Sequence, residues 1–349
     1  MSGQACVLVR CDVGPTLGVG HLMRCLALAE ELMERDLAVV FCAEVGSVPW
    51  AEEQLARRGI GWVPPVGSAQ GHAELARRHD AVLMVIDSYV LAPEVYAAVR
   101  SAGTPVLALV DGDLAGREAD VYVDQNLGSE LLHPPLPEGA VRLAGLDYSL
   151  MRDEILEARR GGPQRRPETG VTEVFAFFGG TDAFGAAPEV ARALVETGLR
   201  FSATVVAGND ATADALTDLP VAEGQRVRVI GPTTRLVEHV QRADVVLSAA
   251  GTSTWELMCL GAATGLVCVA DNQVLGYERM LAAGAAVGLG TLAEVRGHSG
   301  ATVRALTTLL SDEATRARLR TEGRRLVDGA GRRRVVDAAL RRVGFDTHS

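Results

Sequence analysis

His21 is the side chain in this sequence best suited to moving a proton. It closes a glycine-rich stretch, RCDVGPTLGVGHLMR over residues 10–24, and the ordinary pKa of histidine lies near neutrality. Such a group can take a proton from water or a hydroxyl, or return one to a leaving oxygen. Asp12 precedes it, where a carboxylate could orient the ring or make only a local turn bond. Gly18 and Gly20 let backbone come close to a ligand. Arg10 and Arg24 suit carboxylate partners, and Arg24, one turn into a helix, also suits an anionic ligand. The stretch is a poor dinucleotide fingerprint, because Met23 and Arg24 stand where the third glycine is needed.

A second run, DVVLSAAGTSTWE over residues 244–256, points to phosphate chemistry. It reads as strand, small-residue turn and helix start. Gly251 leaves room for a diphosphate, and helix-terminal N–H groups attract its charge. The hydroxyls of Thr252, Ser253 and Thr254 add donors, and Glu256 can accept from ribose hydroxyls. Ser253 and Glu256 also spell a capping box, worth about 1 kcal/mol without any ligand. That box leaves unexplained the ADNQ cluster at residues 270–273, where Asn272 and Gln273 suit sugar hydroxyls.

Three further strand ends carry polar groups. The GGTD run at residues 179–182 offers Gly180 and Thr181 to phosphate or sugar, or Thr181 or Asp182 as a helix cap. Asp111-Gly112-Asp113 and Asp124-Gln125-Asn126 are candidate substrate contacts made of ordinary turn residues.

The elements that position these groups alternate along the chain. Ala5–Arg10, Ala38–Cys42, Val82–Ile86 and Val106–Val110 read as strands, with a helical repeat over Leu22–Arg35. Glu173–Phe178, Ser202–Val206, Arg226–Ile230, Asp244–Ser248 and Gly265–Val269 restart the pattern. Fully apolar strands alternating with helices predict parallel sheets covered on both faces, an α/β architecture. The Arg-, Gly- and Pro-rich stretch at residues 158–170 reads as a linker. It separates a first domain over 1–157, carrying His21, from a nucleotide-binding second domain over 171–349. An Arg-rich helical stretch from Ala314 to Arg342 ends the chain and is a candidate to return to the first domain. Ligands are expected in a cleft between the halves, beyond the carboxyl ends of the strands.

Bulk properties narrow the classes. With 34 Lys and Arg against 44 Asp and Glu, the formal charge is −10, which disfavours nucleic acid as a partner. The six cysteines show no metal spacing, so no metal and no cofactor is expected and a reducing compartment is. No apolar run approaches the length of about 18 residues needed for a membrane span. The amino terminus runs directly into a strand, so no signal peptide is expected and the cytoplasm is the expected location.

The residues 10–29, RCDVGPTLGVGHLMRCLALA, resemble the amino-terminal motif of the nucleotide-sugar hydrolases of the pseudaminic-acid pathway and of related spore-coat polysaccharide proteins. Residues 124–126, 145–152, 179–182, 249–256 and 271–273 are similar to later motifs of that family, in the family's order. The resemblance implies two Rossmann-like domains of GT-B glycosyltransferase type, with UDP on the second. It implies cleavage of the anomeric C–O bond of a UDP-activated amino or deoxy sugar, releasing UDP and free sugar. The family's essential histidine falls on His21, its diphosphate and ribose stretch on Gly251–Glu256 and its sugar-side asparagine on Asn272. Gly20, Arg24, Asp87, Asn126 and Gln273 complete the expected substrate contacts. After Asp87 the chain reads Ser88-Tyr89-Val90 where a His-Tyr-Gly-type sequence is expected, which leaves the sugar open. A glycosyltransferase using the same groups on a small-molecule acceptor, an epimerase and a non-catalytic nucleotide-sugar binder are the alternatives.

Overall fold

The computed structural model describes residues 4–14, 20–46, 48–162, 170–179 and 182–345. The chain divides into two compact units, Met1–Asp153 with Gly329–Ser349, and Glu154–Asp328.

The first unit holds seven strands: β1 (Cys6–Cys11), β2 (Ala38–Cys42), β3 (Gly61–Val63), β4 (Ala81–Asp87), β5 (Val106–Leu109), β6 (Val121–Asp124) and β7 (Val141–Ala144). They form one sheet in the order β3-β2-β1-β4-β5-β6-β7, every pair parallel. Successive residues of β1 enter different cores, as the period of two in a strand requires. Val7, Val9 and Cys11 pack with the helix Gly20–Glu34 and with Val335, Val336 and Leu340 of the last helix. Leu8 packs on the other face with Met84, Ile86, Tyr96 and Val99. Both faces are covered, which explains why the inner strands are mainly apolar, with charged residues at or near their carboxyl ends.

The second unit holds β8 (Thr172–Phe177), β9 (Phe201–Val206), β10 (Gln225–Ile230), β11 (Val245–Ala249), β12 (Thr264–Cys268) and β13 (Val287–Thr291). Their order is β10-β9-β8-β11-β12-β13, again parallel. Val174 and Ala176 face one core while Phe175 and Phe177 face the other.

Two expectations about the chain's joints change. A helix occupies Asp153–Gly161, so residues 158–161 of the expected linker are helical, and 163–169 lie outside the described residues. The expected helical stretch from Ala314 to Arg342 is two helices, Glu313–Leu326 and Gly331–Arg342. Gly329 between them has φ of 84°, a conformation other residues rarely adopt. Gly331 then packs so close that a Cβ there would lie 2.2 Å from the Ser149 carbonyl oxygen. Arg332, buried, pairs with Glu30 (3.2 Å), Glu31 (3.2 Å), Glu34 (3.0 Å) and Asp153 (2.6 Å), fixing this helix to the first unit. No helix among the described residues is long and apolar enough to cross a membrane.

Candidate functional site

In each sheet the strand order reverses direction once, between β1 and β4 and between β8 and β11. Open parallel sheets bind ligands beyond the carboxyl ends of strands at this switch. Both units carry polar groups there.

In the first unit, Gly18 lies outside the described residues and Gly20 opens the helix Gly20–Glu34. His21 follows, buried, with Nδ1 2.6 Å from Oδ1 of Asp87 at the end of β4. Arg24 donates to the same carboxylate from Nε (2.5 Å) and Nη2 (2.6 Å), and the Cys25 thiol lies 3.7 Å from it. Burial alone would raise the Asp87 pKa. The Arg24 charge and the bonds from Arg24 and His21 outweigh it and hold the carboxyl below its usual range. An ionised carboxylate only accepts, so His21 Nδ1 must carry the proton of this bond. In the neutral ring Nε2 is then left with the lone pair, the form needed in a base.

Arg24 also reaches Asp111 after β5, at 3.2 Å. Burial, which raises the Asp111 pKa, is again outweighed by Arg24, and this carboxyl too is held low. Asp111 accepts from the Tyr89 hydroxyl and, at 2.8 Å, from Asn126 Nδ2, which also bonds Asp124 at 2.9 Å. The Tyr89 ring stands edge-on to His21, centroids 4.5 Å apart, and is largely exposed.

Several expected roles move. Asp12 does not touch His21; its carboxylate binds Ser88 Oγ (2.9 Å), the Tyr89 amide (2.9 Å) and Arg10 (3.1 Å). Nearness in sequence misled here, because the strand order places β4 beside β1 and brings Ser88 and Tyr89 to Asp12 and Asp87 to His21. Asp87, expected among the substrate contacts, is fully buried, and its carboxylate is taken up by His21 and Arg24. Arg24 likewise is engaged by two carboxylates, not open to an anion. Tyr89 was not among the expected site residues; it entered the sequence reading only within the Ser88-Tyr89-Val90 departure after Asp87.

In the second unit, β11 ends in a tight turn in which the Gly251 amide donates to the Ala249 carbonyl at 2.8 Å. The helix Ser253–Leu260 begins directly after Thr252. The expected capping box does not form: Ser253 is already helical, and Thr252 in the cap position makes no side-chain bond. The backbone N–H groups of Thr252 and Ser253 consequently have no hydrogen-bond partner among the described residues. Thr254 Oγ1 and Trp255 Nε1 are buried without partners among the described residues. Glu256 is half-buried on the first turn. Beyond β12, Gln273 accepts from the Val269 amide at 3.1 Å, and its Nε2 lies 3.8 Å from where a Cβ on Gly251 would be. Gln273 thus joins the two strand ends; Asn272 beside it is exposed. After β8, Gly180 and Thr181 lie outside the described residues. Asp182 caps the next helix, accepting from the Ala186 (2.8 Å) and Ala187 (3.0 Å) amides. No group of three or more His, Cys, Asp or Glu among the described residues is arranged to hold a metal ion.

No protein-family model and no curated protein matches the chain by sequence. Solved structures match over nearly the whole length. MurG of Acinetobacter baumannii is 15% identical with a TM-score of 0.67, over 97% of this chain and 100% of that one. The glycotransferase of kitacinnamycin is 17% identical at 0.68, over 98% and 100%. MnaA of S. aureus, determined with UDP, is 12% identical at 0.64, over 99% of each. The chain accordingly has the α/β fold of two Rossmann-like units known as GT-B.

Proposed function

We propose that this chain is a nucleotide-sugar enzyme of glycosyl-transfer type, with UDP held by the second unit and the base supplied by the first. The observation that carries it is the 2.6 Å contact of His21 Nδ1 with Asp87, which leaves Nε2 as the proton acceptor. In the reaction, Nε2 takes the proton of an acceptor hydroxyl as its oxygen bonds to the anomeric carbon. The bond from that carbon to the diphosphate oxygen breaks, and its electron pair leaves with UDP. The Thr252 and Ser253 N–H groups and the helix dipole receive the developing charge. Transfer is supported by the glycosyltransferases among the structures of the same fold and by the UDP found in others.

Hydrolysis, with water in place of the acceptor, is the second reading. It is favoured by the motif resemblance at residues 10–29 and 249–256. UDP as the nucleotide, and Gly251, Thr252, Ser253, Gln273 and Asn272 as its neighbourhood, belong to the same proposal.

The test is UDP release from a panel of UDP-sugars, with and without hydroxylated acceptors, beside calorimetric UDP binding. His21→Ala is expected to keep UDP affinity and lose about 10²–10⁴-fold in turnover, the usual contribution of a general base. Turnover equal to wild type in His21→Ala would overturn the assigned base. UDP binding with no turnover on any sugar would favour a non-catalytic binder.

A further inference from the structure

Away from the β1–β4 switch, the first unit has a second concavity beside its edge strand β7, with a volume of about 350 Å³. That is within the range of small-ligand cavities. Its walls combine Leu132, Pro134 and Leu136 with Tyr148, Glu130 and Arg142. The segment contributing the apolar side chains is irregular and carries three prolines, Pro134, Pro135 and Pro137, which restrict its backbone. Leu131, Leu132 and Leu136 are exposed at 71%, 39% and 37%, apolar surface that no core of this unit covers.

Arg142 fixes the segment in place. It donates to the carbonyls of Leu132 (2.8 Å) and Ser129 (2.9 Å), and its side chain is only 10% exposed. Its Nε is buried with no partner among the described residues. Opposite in charge, Glu130 is seated over Gly145, where φ is 99° and a Cβ would lie 2.8 Å from the carboxylate. Any other residue at 145 would displace it.

Arg142 engages its Nη groups with Leu132, Ser129 and Asp124, so it shapes the wall and its charge offsets that of Glu130. The Glu130 carboxylate is an acceptor on this wall. A ligand hydroxyl can donate to it, and the apolar and aromatic walls suit the C–H face of a ring. We propose that this concavity is a binding site for a small polyhydroxylated ring compound, such as a glycoside. All of its lining residues belong to the first unit. Through Arg142 it connects to the His21 network. Arg142 Nη2 lies 3.4 Å from Asp124, Asp124 bonds Asn126, and Asn126 bonds Asp111, the partner of Arg24.

The probes are phenyl glycosides of common hexoses at millimolar concentration, added to the full chain without nucleotide and followed by saturation-transfer NMR. Wild type and His21→Ala are expected to bind alike. Leu136→Glu, on an exposed side chain that the fold does not need, and Glu130→Gln are expected to weaken binding at least tenfold. Equal binding by Leu136→Glu and Glu130→Gln, or no binding of any phenyl glycoside by wild type, overturns the site. Loss of binding in His21→Ala would place the probe at the β1–β4 switch and overturns it as well. Because no nucleotide is present, the outcome is independent of whether UDP-sugars are turned over.

Discussion

The two switch points of this molecule handle polar groups in opposite ways. At the β1–β4 end, charged side chains satisfy one another: His21 and Arg24 on Asp87, Arg24, Tyr89 and Asn126 on Asp111. At the β11 end, residues 248–254 are uncharged and small ahead of Trp255 and Glu256, and the Thr252 and Ser253 amides have no partner among the described residues. A paired network fixes one ring in one tautomer and orientation, which a base requires. Open amides at a helix start serve a ligand that brings its own negative charge. The first arrangement is sensitive to loss of a partner, the second to loss of a donor.

The largest effect is expected at Asp87. Asp87→Asn removes the charge that Arg24 was buried against and puts an NH2 group, which cannot accept, in place of one of the two oxygens that accept from Arg24 and His21. Breaking a buried pair by removing one partner costs about 3–5 kcal/mol, so melting temperature and turnover should fall together while UDP affinity per folded molecule holds. The pH dependence follows from the depressed pKa values of Asp87 and Asp111. Groups held low in the folded state contribute stability that is fully present above the ordinary carboxylate range. It declines as pH falls from there and is gone below their folded values. Wild type should therefore lose melting temperature on acidification, and Asp87→Asn should show a flatter acid limb. An unchanged acid limb would mean that Asp87 is not the group being protonated.

A smaller and more selective effect is expected from Thr252→Pro. Thr252 already has φ of −59°, which proline adopts, and its N–H has no partner among the described residues to lose. Melting temperature should stay close to wild type. A hydrogen bond to a charged group contributes about 1.5–3 kcal/mol, so UDP affinity should drop roughly ten- to a hundredfold. Unchanged affinity by calorimetry would remove this amide from the nucleotide site.

How much of this was legible in the sequence depended on where an element sits. β1, β2, β4, β8 and β11 are apolar runs because both faces are buried, and they were readable as such. Four strands received no range: β3, β7 and β13 are sheet edges, and β6, inside its sheet, was marked only by the polar groups at its end. β3 has three residues, β7 is half-exposed, and β13 reads VGLGT, too glycine-rich to look like a strand. His21 and Gly251 were legible because glycine and small residues cluster around them. The Asp87 contact was not, because it joins residues 66 apart through strand order, which periodicity does not encode. The capping box illustrates the converse: Ser253 and Glu256 match the pattern, but the helix begins at Ser253 and leaves no cap position for it.

The finest test of the contrast is Thr254→Val. Thr254 is buried on the first helical turn and its hydroxyl has no partner, unlike every carboxylate of the His21 network. An unsatisfied buried hydroxyl costs about 1–3 kcal/mol, and valine keeps the shape and β-branching while deleting it. The free protein should become slightly more stable, by about 1 kcal/mol or roughly 2–4 °C in melting temperature. If UDP binding brings an acceptor to this hydroxyl, the variant's stabilisation by saturating UDP should be smaller than that of wild type. A fall in the melting temperature of the free protein would show instead that the hydroxyl is already paired, by an internal water, and that this corner of the second unit is as closed as the first.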